Sequence, residues 1–391
     1  MRKTDMLYYN DQYQRQFEAQ VLDVAQVLDG GVWRVVLDAT CFYPEGGGQP
    51  ADFGYLSGCA VVDCQVDDGV IYHMLVMKPN FDIGDTVRGA IDIQRRLVFM
   101  QNHTGEHLLS GLAKSLFGAT NVGFHMSARG FTIDFDIPLS REQLDEMENE
   151  ANVTVWTGCD IETYFVAGDD VDGLEARAKR DFAASDVARI VEIGEYDTCA
   201  CAGLHVEHIA EVGAIKIVAH QRYKGGTRIQ VYCGADALWD YTRKNDMLRQ
   251  LSGLLSAETE SIVAAVDKLK EARAAAKRDA DALKQRYFAL LAERVEQGAK
   301  LVWFVEDGLD ADDLRRLANL AAERAQIAVA LSVDGAVCKY AASSADEAAL
   351  RDFAARLGAA CDGKGGVAKG VAQGALKADF AAITAFLEGW A

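Results

Sequence analysis

Along the first 90 residues, apolar and polar positions alternate in short runs. FEAQVLDVAQ, GVWRVVLD, GCAVVDCQV and DTVRGAIDI are rich in Val and Ile, the signature of half-buried strands. Gly30-Gly31, Asp68-Gly69 and Gly84-Asp85 supply turn chemistry between them. Short strands at this spacing predict a small β-barrel over residues 1–93. After Arg95 the period changes: HTGEHLLSGLAKSLFG has helical spacing and ends at a capping glycine. FTIDFDI reads as a strand, and Ser140 opens a helix with Glu142 and Gln143 in its first turn. Strands resume in ARIVEIGE, GAIKIVAHQ and TRIQVYCG. Residues 94–238 are therefore expected to form an α+β domain.

From 239 to 298 the pattern is helical throughout. Leu248, Leu255, Ile262, Leu269, Ala276, Leu283 and Leu290 recur every 7 residues, but the matching partner positions (Leu251, Glu258, Ala265, Ala272, Asp279, Arg286) are poorer. The pattern predicts one long amphipathic helix or a helical hairpin, not a regular coiled coil. Its seam fits its own domain or a second copy of the chain equally well. Beyond Gly298, strands (LVWFVE, QIAVALSV, AVCKYAA) alternate with helices (DADDLRRLANLAAERA, ADEAALRDFAARLGAA). That alternation predicts a small α/β domain over 299–391. The fold class expected is α+β and multidomain.

Composition narrows the setting. Nine cysteines spread over 391 residues do not make a disulfide framework. MRKTDMLYYNDQYQRQ has no signal-peptide core, and no later stretch reaches the ~18 apolar residues of a membrane span. A cytoplasmic protein with no membrane partner is expected. Charge points away from nucleic acid: residues 1–240 hold 19 basic and 37 acidic side chains, a net of −18. Residues 241–298 hold 11 and 9, and 299–391 hold 10 and 13. A nucleic acid would have to find local patches such as Arg222, Lys224 and Arg228, or Lys364 and Lys369.

The candidate chemistry lies in two short motifs. His103 and His107 stand four apart in a helical pattern, so their imidazoles share a face at ~5–6 Å and one ion can bridge them. About a hundred residues later, Cys201 and His205 repeat the interval in CAGLHV. Together they offer a His₃Cys set that suits zinc. Four protein ligands describe a closed structural site, whereas a catalytic zinc keeps a place for water or substrate. Either one ligand is loose or another group handles the water.

FYPEGGGQPADFG (Phe42 to Gly54), NHTGEHLLSG, CAGLHV and KGGTRIQVYCG resemble the motifs of alanyl-tRNA editing domains, which occur within synthetases and as freestanding proteins. DGKGGVAKGVAQGAL (Asp362 to Leu376) resembles the glycine-rich signature of the DHH-associated C-terminal domain that ends alanyl-tRNA synthetase. Nearly the whole chain is covered, as in the long form of the freestanding editor. The resemblance implies that His103, His107, Cys201 and His205 bind zinc. It implies too that Gly46, Gly47, Gly48 and Gln49 form a loop near the active site; the plainer reading is a barrel turn. In the rear signature Gly363, Lys364, Gly365, Gly366, Gln373 and Gly374 match. A lysine among glycines would let backbone N–H groups and an ammonium approach phosphates, and Lys224, Arg228 and Lys369 are further candidates for tRNA contact. Two positions depart from the family. Glu106 stands where Thr is common, and His125, in VGFHMS, replaces a Gly/Ser-rich segment. Each could transfer a proton or orient a ligand imidazole; orientation is expected of Glu106.

The function implied is zinc-dependent hydrolysis of tRNA(Ala) mischarged with serine or glycine, acting in trans. An alternative is a non-catalytic tRNA-binding protein with a structural zinc. HTGEH lacks the HExxH order of a zinc peptidase. A homodimer through the long helix or the C-terminal domain stays open.

Overall fold

A computed structural model describes residues 2–27, 31–174, 176–177, 183, 186–334 and 337–390. Of the Gly30-Gly31 turn, only Gly31 lies among them. The chain divides into two compact units, Met1–Gln250 and Leu251–Ala391.

The first unit begins with β1 (Asp5–Met6), β2 (Gln16–Gln26), β3 (Trp33–Leu37), β4 (Ala39–Thr40), β5 (Gly54–Leu56), β6 (Cys59–Asp67), β7 (Val70–Leu75) and β8 (Thr86–Ile91). In the order β2-β3-β7-β6-β5-β8 six of them close into a barrel, with Gln16 of β2 opposite Ala90 of β8. Alternation drives the closure: Phe17, Ala19 and Val21 of β2 are buried, while Gln16, Glu18 and Gln20 are exposed. The barrel leads into α1 (Ile93–Phe117), capped by the Asp92 side chain on the N–H groups of Gln94 and Arg95 and stopped by Gly118 at φ +68°. Arg96, fully buried, fastens this helix to the barrel. Its guanidinium pairs with buried Asp52 and donates to the carbonyls of Cys41 (2.6 Å) and Gln12 (2.8 Å). Removing either partner would strand a buried charge, at about 3–5 kcal/mol.

Then come β9 (Asn121–Met126), β10 (Phe131–Phe135), α2 (Arg141–Thr157), β11 (Ile161–Ala167), β12 (Val187–Ile193), β13 (Asp197–Ala200), β14 (Ile215–Tyr223), β15 (Gly226–Cys233) and α3 (Gly234–Leu255). They form a four-stranded sheet, β14-β15-β10-β9, and a three-stranded one, β11-β12-β13. One hydrophobic core runs from Tyr8 in the first 3₁₀ turn through α1 to Cys233, so barrel and zinc-motif region are packed as one body.

The second unit holds α4 (Ile262–Glu293), β16 (Ala299–Val305), α5 (Ala311–Ala322), β17 (Ala325–Asp334), β18 (Val337–Ser343), α6 (Glu347–Ala360), β19 (Lys364–Ala368), β20 (Val371–Leu376) and α7 (Phe380–Trp390). Its sheet runs β16-β17-β18-β20-β19, parallel only between β16 and β17, which α5 connects. The heptad run is not one helix: Ser256, at φ +48°, and a 3₁₀ turn at Thr259–Ser261 separate α3 from α4. Of its apolar face, Leu269, Leu283 and Leu290 are exposed. No helix among the described residues is long and apolar enough to cross a membrane.

Candidate metal centre

The helix α1 carries His103 and His107 one turn apart on a face that is fully buried. Gly105 between them is needed for packing, since a Cβ there would lie 2.4 Å from the Cys233 sulfur of β15. The second pair is not helical. Cys201 to His205 follow β13 as an irregular loop. Gly203 turns its bare Cα to the His103 ring; a Cβ would come within 2.0 Å of Cε1. In this way an imidazole from one element seats against a glycine of the other. One nitrogen or sulfur atom from each of His103, His107, Cys201 and His205 lies within 4.8 Å of the other three. The ring centroids of His103 and His107 are each 4.5 Å from that of His205.

Neighbouring side chains decide which ring nitrogens face inward. Gln49 Oε1 accepts from His103 Nδ1 (3.1 Å) and from the Leu204 N–H (3.0 Å). That leaves His103 Nε2 beside the Cys201 sulfur, at 3.5 Å. The Thr104 hydroxyl meets His205 Nδ1 (3.2 Å) and accepts from the Val206 N–H (3.3 Å). His205 Nε2 is buried with no hydrogen-bond partner, and so is His107 Nδ1. The latter faces an Asp197 oxygen at 3.0 Å, which serves it as an ionic partner. His205 Nε2, buried and unpartnered, carries a cost that a metal ion removes, and the N₃S donor set suits zinc.

Electrostatics favour ligation at Cys201 and His205 and oppose it at His107, which must lose a proton to bind an ion. Burial opposes a thiolate at Cys201, yet the charge of His103 and hydrogen bonds from the three imidazoles hold its pKa well below the ordinary range. Burial and the nearby His103 and His107 charges push His205 down, toward the neutral form a ligand requires. At His107 burial opposes protonation, but Cys199, Glu106 and Asp197 outweigh it and raise the pKa.

The loop's carbonyls are braced from outside. Arg189 donates to those of Cys201 (3.1 Å) and Gly203 (2.7 Å), and the Tyr9 and Tyr43 hydroxyls donate to that of Ala202 (2.8 and 3.3 Å). Next to the cage is a cleft of about 230 Å³, lined by Gly47, Glu106, Arg177, Arg189 and Cys199 among others.

The remaining expected residues divide. Gly46 and Gln49 bridge across a tight turn whose Gly47 and Gly48 have φ +62° and +85°. The turn also delivers Gln49 to His103, so the two readings of this segment describe one feature. Glu106 is buried, but its Oε1 is taken by Ser110 (2.8 Å) and Asn121 (2.6 Å). Its Oε2 stands 3.7 Å from His107 Nε2, beyond hydrogen-bond range. The seat beside His107 expected for Glu106 belongs instead to Asp197, which Arg177 clamps at 2.6 and 2.8 Å. Burial opposes ionisation of Asp197, and Arg177 and His107 hold its carboxyl below the usual range. His125 is not at the cage. Phe124 stacks on His103 with centroids 5.5 Å apart, and strand alternation sends the next residue, exposed His125, the other way. Lys224 is exposed in the β14–β15 turn, whereas Arg228 is committed to Asp134 (2.5 and 2.7 Å) and stacked on Tyr223. In the rear signature Gly363 to Gly366 run into the edge strand β19, not a loop. Lys369 and Gly370, at φ +53° and +75°, make the two-residue turn to β20, where Gln373 pairs with Gly366. A Cβ on Gly365 would strike the Gln373 carbonyl at 2.4 Å, so this glycine serves strand pairing and not a phosphate nest.

Asp197, Cys199, Arg177 and Arg189 escaped the sequence reading. The first two could have been found: Asp197, Cys199 and Cys201 fall at every second residue, on one face of β13 and its extension.

Comparison with known proteins follows this geometry. Residues 1–95 match the family "tRNA synthetases class II (A)", and 188–249 match "Threonyl and Alanyl tRNA synthetase second additional domain". The alanine–tRNA ligase of Pyrococcus abyssi is 31% identical over 398 residues, covering 96% of this chain and 42% of the relative. That of Halobacterium salinarum is 33% identical, covering 85% and 38%. The chain thus spans about two-fifths of the length of these relatives. A solved C-Ala domain from Aquifex aeolicus alanyl-tRNA synthetase matches 25% of the chain at 21% identity with a TM-score of 0.21.

Proposed function

We propose that the chain, whose residues 1–95 and 188–249 match two tRNA synthetase families and which is 31% identical to an alanine–tRNA ligase, is a zinc-dependent deacylase. In this reading it acts in trans on tRNA(Ala) mischarged with serine or glycine, and water cleaves the ester between amino acid and terminal ribose. The observation that carries it is the convergence of His103, His107, Cys201 and His205, with His205 Nε2 unpartnered, beside a cleft.

His103, His107, Cys201 and His205 would hold the ion, and zinc in such a set supplies Lewis acidity toward a carbonyl or an acidified water. The protein's own groups account for the rest. Gln49 Oε1, an acceptor only, fixes the His103 tautomer, and the Thr104 hydroxyl orients His205, each through the ring's Nδ1. Arg177 holds the Asp197 carboxylate against His107. Glu106, with Oε1 anchored, lines the cleft with its acceptor capacity on Oε2 and can bind a substrate ammonium. At about 230 Å³ the cleft is below the range for drug-sized ligands, which suits a small aminoacyl group. The need is physical: an alanine pocket rejects a slightly different small amino acid by only ~1–3 kcal/mol, so a second hydrolytic site is the remedy.

The test is incubation of zinc-loaded protein with Ser-, Gly- and Ala-tRNA(Ala). Hydrolysis of the seryl or glycyl ester with the alanyl ester spared is expected. Survival of all three would overturn the reading. The full count of four protein ligands favours, in that event, a tRNA-binding protein with a structural zinc.

A further inference from the structure

The first unit carries a net charge of −18 over residues 1–240, which should repel the very polymer it is proposed to serve. One face is balanced within that charge, its hollow lined by Arg95 and Arg129 against Asp92 and Asp236. The Arg129 guanidinium lies 3.4 Å from the centroid of the Trp239 ring, and Arg95 lies 3.8 Å from that of Phe53. Arg243 approaches the same Trp239 ring at 5.4 Å. Trp239 is 41% exposed and Phe53 38%, and these side chains line a shallow hollow of about 420 Å³.

The carboxylates in that hollow are already occupied. Asp92 caps α1, and Asp236 accepts from the Asn102 side chain (2.9 Å) and the Gly130 N–H (2.8 Å). Asp240, next to Trp239 in the chain, is paired with Arg243 and Lys244. Arg95 and Arg129 have no salt-bridge partner among the described residues. Arg95 is held between Phe53 (3.8 Å) and Phe99 (4.5 Å) with its Nε on the Ala51 carbonyl (3.1 Å). Arg129 on Trp239 and the exposed Phe53 ring thus supply the stacking surfaces, in the way proteins hold single-stranded nucleic acid. Bases stack on rings and guanidinium planes, and phosphates meet the positive charge.

The position fits as well. Asp236, in the floor of the hollow, is bonded to Asn102, the residue before the ligand His103. The hairpin β9–β10 has Phe124 on the His103 ring and Arg129 at its tip. At ~1.5 Å per helical residue, Arg95 stands about 12 Å along α1 from His103. Three or four stacked nucleotides, at ~3.4 Å each, span that distance.

We propose that the Phe53–Arg95–Arg129–Trp239 face holds the single-stranded 3′ end of the tRNA and leads its terminal ester to the cage. The proposal rests on the deacylase reading for its substrate, and the experiment separates the two. Binding is measured for uncharged tRNA(Ala) and for the same transcript lacking its last four nucleotides, with wild type, Arg129→Ala, Trp239→Ala and Trp239→Phe. Zinc content and thermal midpoint are checked for each protein. Arg129→Ala and Trp239→Ala should each weaken binding of the intact transcript by about fivefold or more, the worth of one stacked base. They should leave the shortened transcript unaffected, and Trp239→Phe should recover most of the loss. On Ser-tRNA(Ala) they should raise KM and leave kcat within about twofold. Equal losses for both transcripts, or no loss for either, would overturn the proposal; Arg129, exposed at a hairpin tip, decides it should Trp239→Ala fail to fold. A wild type that hydrolyses no ester yet shows the expected transcript dependence would sink the deacylase reading and leave this surface standing.

Discussion

Two glycine-bearing motifs, CAGLH in the first unit and DGKGG in the second, do opposite things in space. In CAGLH, Gly203 makes room for a ring that arrives from another element, and the polar side chains on either side turn inward to a common point. In DGKGG, Gly365 makes room for a neighbouring strand, and Lys364 stays exposed on the edge of the sheet. Buried convergence concentrates donors at one place and suits bond-making chemistry. Exposed divergence spreads charge over a surface, which suits contact with a polyanion. We propose that this difference places the chemistry in the front and adds exposed charge for tRNA contact in the rear.

The comparison breaks most visibly at the cage. His103→Ala or Cys201→Ala should abolish zinc binding and lower deacylation by more than the ~100-fold that partners of metal ligands cost. Metal analysis together with the hydrolysis rate tests this, and full zinc in either variant would mean the four side chains do not share an ion. Next come the carboxylates around it. Asp197→Asn should weaken zinc affinity about 10- to 100-fold, because the partner of His107 is lost. Glu106→Gln should retain zinc and cost under about tenfold in rate; the reverse ranking of the two in a zinc titration would return the role to Glu106. The smallest effect belongs to the rear. Lys364→Ala with Lys369→Ala should lower tRNA affinity a few-fold and reduce the slope of log affinity against log salt by up to ~2, with kcat unchanged. An unaltered salt slope would show that these lysines meet no phosphate.

Much of this was legible in the sequence because it depends on local spacing. The barrel strands follow from alternation, α1 from its period and its glycine stop, and the ligand pairs from two four-residue intervals. What was hidden depends on contacts distant in sequence. Gln49 meets His103 across 54 residues and Arg177 meets Asp197 across 20, and no periodicity encodes either. His125 misled because adjacency to Phe124 in sequence means opposite faces on a strand. The heptads left one helix or a hairpin open: apolar spacing continues through Ser256, but the backbone there takes a left-handed conformation that ends the first helix. In the rear, Lys369-Gly370 was readable as a hairpin turn, and was obscured by a glycine content that suggested a loop.

The bracing of Cys201 to Gly203 by Arg189, Tyr9 and Tyr43 has a thermodynamic consequence. A loop whose three successive carbonyls are already satisfied is ordered before any ion arrives. Ion capture therefore spends little of its free energy on loop entropy, unlike small zinc domains that fold only around their metal. Folding thus does not wait on the ion, although an ion that binds only the folded chain still adds stability by mass action.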